Sequence, residues 1–121
     1  MTEIQNSKQY DLEDRTPKFA KKVRSFVKKI NKTLANIEDS KQLVKASGSV
    51  GANYIEANEA LSKKDFLMRI KICRKEAKES RYWLRLVDTG DNSELEQERQ
   101  ALENEARELT HIFGSIVTKS K

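Results

Sequence analysis

Apolar or small residues recur at alternating intervals of four and three positions along two successive segments of the chain. The first segment carries this repeat at Leu43, Ser47, Val50, Tyr54, Ala57 and Leu61. The second segment carries it at Phe66, Ile70, Cys73, Ala77, Ser80, Leu84 and Val87. A seven-residue repeat of this kind is typical of helices that pack side by side at a shallow angle. The pattern therefore predicts two long neighbouring helices.

Shorter runs of the same spacing occur before and after this central pair. They are carried by Phe19, Val23, Phe26 and Ile30 near the start, and by Leu95, Leu102, Ala106, Leu109, Phe113 and Ile116 near the end. Thr16-Pro17 offers a capping hydroxyl followed by a proline at the first helical position, and Ser93 with Glu96 forms a capping box. Helices are predicted over about 16–31, 36–60, 63–87 and 93–118, after an N-terminal arm over 1–15.

No segment alternates polar and apolar residues as a strand would, and the links between the predicted helices are short. Helices joined by short links run alternately up and down. The composition, with 36% hydrophobic and 36% charged residues but one proline and four glycines, suits amphipathic helices. The predicted fold is an all-α, antiparallel up-down four-helix bundle that forms a single domain over residues 1–121.

Two glycines, Gly48 and Gly51, lie inside the second predicted helix. Each glycine costs a helix about 1 kcal/mol relative to alanine. Close approach of a neighbouring backbone would offset that cost, and Ser47 and Ala52 beside them are also small. A phosphate-binding loop is disfavoured, because no Gly-Lys-Ser/Thr sequence follows and no strand precedes.

Few residues in the chain are suited to catalysis or metal binding. Cys73 lies on the apolar seam of the third helix, which favours a buried hydrophobe over a nucleophile paired with His111, the single histidine. Glu108 and His111 form one Glu-x-x-His motif, whereas di-iron bundles use two. We therefore expect no catalytic residue, no metal, no cofactor and no small-molecule substrate.

The cellular location is predicted from the polar N-terminal residues and from the shortness of the apolar runs. The first residues, MTEIQNSKQY, do not resemble a signal peptide. No run approaches the roughly 20 apolar residues that a membrane span needs. A soluble, cytoplasmic protein without membrane contact is expected.

The net charge of +5 is unevenly distributed along the chain. Residues 16–32 contain seven basic groups and no acid, residues 63–87 contain nine basic and three acidic groups, and residues 88–121 contain four basic and eight acidic groups. This asymmetry indicates an anionic partner, or subunits that meet basic against acidic. Glutamates and arginines of the two central helices are interpreted either as salt bridges, some at subunit contacts, or as a solvated face.

Basic residues recur at intervals of four and three on the third helix, beside its apolar seam. With the basic first helix they suggest a surface that contacts phosphates. The candidate nucleic-acid-binding residues are Lys21, Lys22, Lys28, Lys29, Lys71, Arg74, Lys75, Lys78, Arg81 and Arg85. Tyr82 and Trp83 lie beside this stripe, where they would stack on bases. For Trp83, burial in the core or an interface is the favoured alternative.

Two blocks of the chain, SGSVGANYIEANEALSKKDF and RIKICRKEAKESRYWL, resemble the 23S rRNA intervening-sequence proteins, a bacterial family of four-helix bundles. The resemblance extends from YDLEDRTPKFA to about Leu86 and is weakest in the last helix. That family is similar in fold to the accessory variability proteins of diversity-generating retroelements, which are basic homopentamers that bind nucleic acid. The resemblance implies a bundle protomer and a ring-like homo-oligomer, with five subunits favoured. It implies no enzyme activity and no catalytic residues.

Two functional hypotheses remain open. In the first, the chain is a nucleic-acid-binding accessory protein that acts as an oligomer, with RNA as the preferred partner. In the second, it is a structural or protein-interaction module whose basic surface meets the acidic last helix of a neighbouring subunit. An enzyme is disfavoured because the sequence contains no recognisable site.

Overall fold

The computed structural model of the protein describes residues 11–121. Within this range it contains four helices and no strand: α1 spans Leu12–Lys29, α2 Leu34–Asn58, α3 Lys63–Leu86 and α4 Ser93–Ser120. The described part of the chain is therefore all-α. None of these four helices combines the length and the apolar composition that a membrane-spanning helix requires.

The start of α1 differs from the predicted start at Thr16-Pro17, because Asp11 caps the helix instead. The Asp11 carboxylate accepts a hydrogen bond from the third backbone N–H of the helix. Pro17 lies inside the helix and removes one backbone hydrogen bond, which is tolerable so close to the first turn. The predicted arm over 1–15 is consequently helical from Leu12 onward, and its first ten residues lie outside the described range.

The other three helices begin at polar side chains that accept a hydrogen bond from a backbone N–H three residues on. These caps are Thr33, Ser62 and Asn92. The N-cap of α4 is Asn92, one residue before Ser93, for which the capping role was predicted. The remaining helix boundaries lie within two residues of those predicted.

The predicted seams form the core. Leu43, Val50, Ile70, Leu84, Leu109 and Phe113 are each fully buried. Leu61 is a correction, since it is fully exposed. Its seven-residue spacing continues the seam of α2, but α2 ends at Asn58, so Leu61 lies in the link to α3 where no helix directs it inward.

Each helix contacts two of the other three. The largest contacts are α2 with α3 and α3 with α4, while α1 packs on α2 and less extensively on α4. The predicted close approach of a backbone is seen only in part at Gly51, where a Cβ would lie 2.9 Å from the side-chain Oγ1 of Thr16 and 3.8 Å from its backbone carbonyl carbon. At Gly48 the neighbour is the guanidinium of Arg24 at 3.2 Å, which is a side chain and not the predicted backbone.

A forked ion pair joins α1 to α4. Arg15 Nε lies 2.7 Å from Glu105 Oε2, and Arg15 Nη2 lies 2.7 Å from Glu108 Oε1. The hydrogen bonding that Arg15 donates to the Glu105 carboxylate is the main cause that raises the pKa of Arg15 above its ordinary value. Bidentate geometry of this kind fixes orientation as well as distance. The pair therefore joins α1 to α4 across the smaller of its two helix contacts.

Candidate nucleic-acid interface

The basic stripe of α3 borders a groove between α3 and α4. Arg74, Lys78, Arg81 and Arg85 recur every four or three residues, so they share one flank of the helix. All four line an open groove of about 820 Å³. The groove brings the basic residues of α3 face to face with residues of α4.

The opposite wall of the groove comes from a stretch of α4 that combines basic and small side chains. Arg107 and His111 line the groove, together with Thr110, Gly114 and Ser115. A Cβ on Gly114 would lie 3.7 Å from Arg74 Cδ, so the Arg74 side chain lies against this glycine. The small residues thus leave the groove open where its cations face one another.

At one end of the groove the positive charge is partly compensated by carboxylates of the same protomer. Glu103 Oε1 lies 3.5 Å from Arg81 Nε and 3.7 Å from Arg85 Nε, and Glu103 Oε2 accepts a hydrogen bond from Arg99 at 3.1 Å. Arg99 also contacts Glu96, and this contact is the main cause that lowers the pKa of Glu96 to about 2. Three arginines and two glutamates therefore share this end.

The other end of the groove carries positive charge without a carboxylate. Arg74 and Lys78 form no ion pair with any residue in 11–121, and Arg107 donates its hydrogen bond to the neutral amide of Asn104. His111 is exposed beside them. At the junction of the two ends, Arg81 Nε is buried and has no hydrogen-bond acceptor among the described residues. We call Arg74, Lys78, Arg107 and His111 the cationic end.

The remaining candidate residues lie away from this groove. Lys71 and Lys75 are exposed, and Lys75 Nζ lies 3.9 Å from Glu76. Lys21, Lys22, Lys28 and Lys29 are exposed on α1, which does not contact α3. Lys29 is bound to Glu98 of α4 at 2.8 Å. The structure therefore brings together four of the ten predicted residues and places the α1 lysines on separate surfaces.

Tyr82 and Trp83 play different parts beside the stripe. Trp83 is partly buried and packs against the core, as the favoured alternative from the sequence predicted, and its Nε1 donates to Glu79 at 3.1 Å. Tyr82 is 55% exposed and lines the groove. The two rings meet edge to face, with centroids 4.9 Å apart and planes at 72°.

The residues considered for catalysis or metal binding are engaged elsewhere. Cys73 is buried, and burial raises the pKa of its thiol to about 12, so the sulfur stays protonated at neutral pH. Glu108 is held by Arg15 and Asn104, while His111 faces the groove. Within residues 11–121, no three His, Cys, Asp or Glu side chains converge as a metal site would require.

Sequence reasoning missed the contribution of α4 to the groove. Arg107, His111 and Gly114 follow the same four-and-three spacing as the stripe on α3, and this signal was present in the sequence. It was obscured because residues 88–121 are acidic in total. Of these acids, Glu103 contacts arginines of the groove, whereas Glu98, Glu105 and Glu108 form ion pairs with α1.

Comparison with known proteins agrees with this architecture. The family model described as 23S rRNA-intervening sequence protein matches residues 8–115. The chain is also similar to a crystal structure of a protein of unknown function from the S23 ribosomal protein family of Bacteroides thetaiotaomicron. The two share 28% identity and a TM-score of 0.69 over 88% of this chain and 97% of the other. No curated protein matches the chain.

Proposed function

This chain belongs to the 23S rRNA-intervening sequence protein family, and on that premise we propose that it is a non-enzymatic accessory protein that binds nucleic acid. The observation that carries the proposal is the cationic end of the α3–α4 groove, where cations face one another without a carboxylate. The proposal includes RNA as the preferred partner, a ring-like homo-oligomer as the active form, and a cytoplasmic location.

Phosphate is the ligand chemistry that the cationic end favours. Arg74, Lys78 and Arg107 carry only hydrogen-bond donors and form no ion pair with a carboxylate in the described residues. Basic side chains in this arrangement gain affinity by releasing counterions from a phosphate backbone. They position a nucleic acid without reading its sequence, so weak sequence selectivity is expected.

RNA is favoured over duplex DNA by the shape of this surface. Sequence-reading proteins place a projecting helix or ribbon in the DNA major groove. Here the basic residues line a groove between two packed helices. Single-stranded or structured RNA, whose backbone and unpaired bases are accessible, suits such a concave site better.

An antiparallel up-down arrangement of the four helices is part of the proposal. Contacts at opposite ends of α2 and α3 support it: Asn36 near the start of α2 bonds Asp88 just beyond α3, and Asn53 near the end of α2 accepts from Arg69 near the start of α3.

The ion pairs between α1 and α4 show the same reversal. Arg15 at the start of α1 pairs with Glu105, whereas Lys29 at the end of α1 pairs with Glu98, which comes earlier in α4. Along the α3–α4 groove the order is likewise reversed, since Arg74 lies against Gly114 and Arg85 lies near Glu103.

Homo-oligomerisation is supported by large apolar side chains left on the surface. Leu34, Ile55 and Leu61 are 80%, 63% and 100% exposed. Apolar groups of this size at the surface favour burial between subunits. Five subunits follow from the family resemblance, and a ring requires a head-to-tail interface. Light scattering should then return about 70 kDa, five times the 14.0 kDa protomer; a mass near 14 kDa at micromolar concentration would contradict this part.

The alternative, a protein-interaction module without nucleic-acid binding, needs acidic residues of α4 that are free to meet a neighbour. Five of the six carboxylates on α4 already form salt bridges within the protomer. These are Glu96, Glu98, Glu103, Glu105 and Glu108. This engagement supports the nucleic-acid proposal over the alternative.

The test compares two variants with equal loss of charge. The groove variant carries Arg74→Gln, Lys78→Gln and Arg107→Gln, and the α1 control carries Lys21→Gln, Lys22→Gln and Lys28→Gln. Binding of a labelled, mixed-sequence single-stranded RNA is followed by fluorescence anisotropy at low salt. The groove variant should bind at least about tenfold more weakly, and the control within about threefold of wild type.

Two results would overturn the proposal. If the wild type does not bind RNA at low salt, the protein-interaction alternative replaces it. If the two variants weaken binding equally while circular dichroism shows both folded, the groove is not the binding site.

A further inference from the structure

The groove also contains an exposed aromatic ring, which indicates the form of nucleic acid that it accepts. We infer that the α3–α4 groove binds a single strand, with one unpaired base stacked on Tyr82. This inference rests on the proposed function and adds the strandedness of the ligand and a second kind of contact. It follows from the position, the exposure and the support of Tyr82.

Tyr82 is placed between cations along α3. Lys78 lies one helical turn before it and Arg85 about one turn after it, and all three line the same groove. A strand that runs along α3 with a base on Tyr82 therefore places its flanking phosphates near Lys78 and Arg85. The side chain of Arg85 is 63% exposed and its contact with Glu103 is long at 3.7 Å, so it is able to turn toward a phosphate.

The ring of Tyr82 is supported on one side by a neighbouring aromatic ring. Trp83 contacts it edge to face, and Trp83 is itself anchored by its hydrogen bond to Glu79 and by packing on the core. A supported ring loses little side-chain freedom when a base stacks on it. Aromatic side chains that stack on bases contribute to affinity with little regard to sequence, as do the phosphate contacts beside them.

A double-stranded ligand offers no unpaired base to Tyr82. Bases in a duplex are stacked on one another, and extruding one of them costs several kcal/mol. Duplex RNA therefore presents phosphates and 2′-hydroxyls to the cationic end but no base face to Tyr82. The cations alone are expected to bind both forms, whereas Tyr82 is expected to favour the single strand.

The experiment compares Tyr82→Leu, which removes the ring, with Tyr82→Phe, which keeps it and removes the hydroxyl. Each variant is titrated with a mixed-sequence single-stranded RNA and with the blunt duplex of the same sequence. Tyr82→Leu should weaken single-strand binding roughly fivefold or more. Tyr82→Phe should remain within about twofold, and both variants should bind the duplex as wild type does.

Trp83 provides a second readout in the unaltered protein, because it is the single tryptophan and touches the ring of Tyr82. Single-stranded RNA should change its fluorescence at saturation, and the duplex should leave it unchanged. This measurement holds even if Tyr82→Leu fails to fold.

The outcomes separate this inference from the proposal beneath it. If the groove variant loses binding but Tyr82→Leu binds the single strand as wild type does, the stacking inference is wrong and the phosphate groove stands. The inference also fails if Tyr82→Leu weakens single strand and duplex equally, or if Trp83 responds to both alike. If the groove variant binds as wild type does, the proposed function fails first.

Discussion

Asn36 and Asp88 join two of the links between helices through a reciprocal pair of hydrogen bonds. Asn36 Nδ2 donates to the carbonyl of Asp88 at 2.8 Å, and the backbone N–H of Asp88 donates to Asn36 Oδ1 at 2.9 Å. The same Nδ2 also donates to the carbonyl of Asn31 at 2.9 Å. One amide, 2% exposed, thus connects the α1–α2 link to the α3–α4 link.

Replacing Asn36 by alanine should reduce the free energy of unfolding by about 2–4 kcal/mol, because three hydrogen bonds are lost and part-buried backbone groups are left without partners. Gln42→Ala, an exposed position on the same helix, is the control and should change stability by less than about 0.5 kcal/mol. Urea denaturation provides the measurement. Equal effects at the two positions would show that the amide does not hold the links together.

The two glycines of α2 should respond to alanine in opposite directions. At Gly51 the new Cβ would lie 3.1 Å from Thr16 Cβ and 2.9 Å from its Oγ1, so the helices must separate, at a cost of about 1–3 kcal/mol. At Gly48 the contact is the end of the exposed, flexible Arg24 side chain, so Gly48→Ala should gain up to about 1 kcal/mol from helix propensity. Thermal melts of both variants test the pair; destabilisation by both, or by neither, contradicts the packing described here.

Two leucines two residues apart on α3 test which face of that helix is buried. Leu84 is fully buried and Leu86 is 47% exposed. Leu84→Ala should cost about 2–5 kcal/mol through lost burial and the cavity that remains. Leu86→Ala should cost less than about 1 kcal/mol. Similar costs in denaturant melts would mean that the seam of α3 is assigned to the wrong face.

Acid should weaken the contact of Glu96 with Arg99 and Thr89. The hydrogen bond from Arg99, and then that from Thr89, lower the pKa of Glu96 from its ordinary 4.5 to about 2. A carboxylate with a depressed folded-state pKa stabilises the fold above its unfolded pKa, and this contribution is lost as pH falls from about 4.5 to about 2. The stability difference between wild type and Glu96→Gln should therefore shrink across that interval. A difference that does not vary with pH would contradict the depressed pKa.

Much of the fold is predictable from the sequence, because the four-and-three spacing determines which face of each helix is buried. The errors occur where another signal competes. Leu61 continues the spacing beyond the end of α2, and spacing alone does not mark where a helix stops. Thr16-Pro17 resembles a helix start, but Asp11 caps the chain earlier and Pro17 is accommodated near the first turn.

Only the part of the candidate site that lies on a single helix could be predicted from the sequence. Arg74, Lys78, Arg81 and Arg85 share a flank because of helical geometry alone. The alignment of α4 along α3 determines the rest of the site. It places Glu103 near Arg81 and Arg85, and it adds the positive charge of Arg107 to that of Arg74 and Lys78. This alignment arises from packing between helices, which the periodicity of a single helix does not specify.

The salt dependence of RNA binding tests the central claim most directly, because it counts phosphate contacts. The slope of log affinity against log salt should fall in magnitude by about 0.7 for each cation removed from contact with a single strand. Arg74→Gln, Lys78→Gln and Arg107→Gln together should thus reduce the slope by about 2. The α1 control with Lys21→Gln, Lys22→Gln and Lys28→Gln should keep the wild-type slope. Equal slopes for the groove variant and the wild type, with the fold intact, would contradict nucleic-acid binding in the α3–α4 groove.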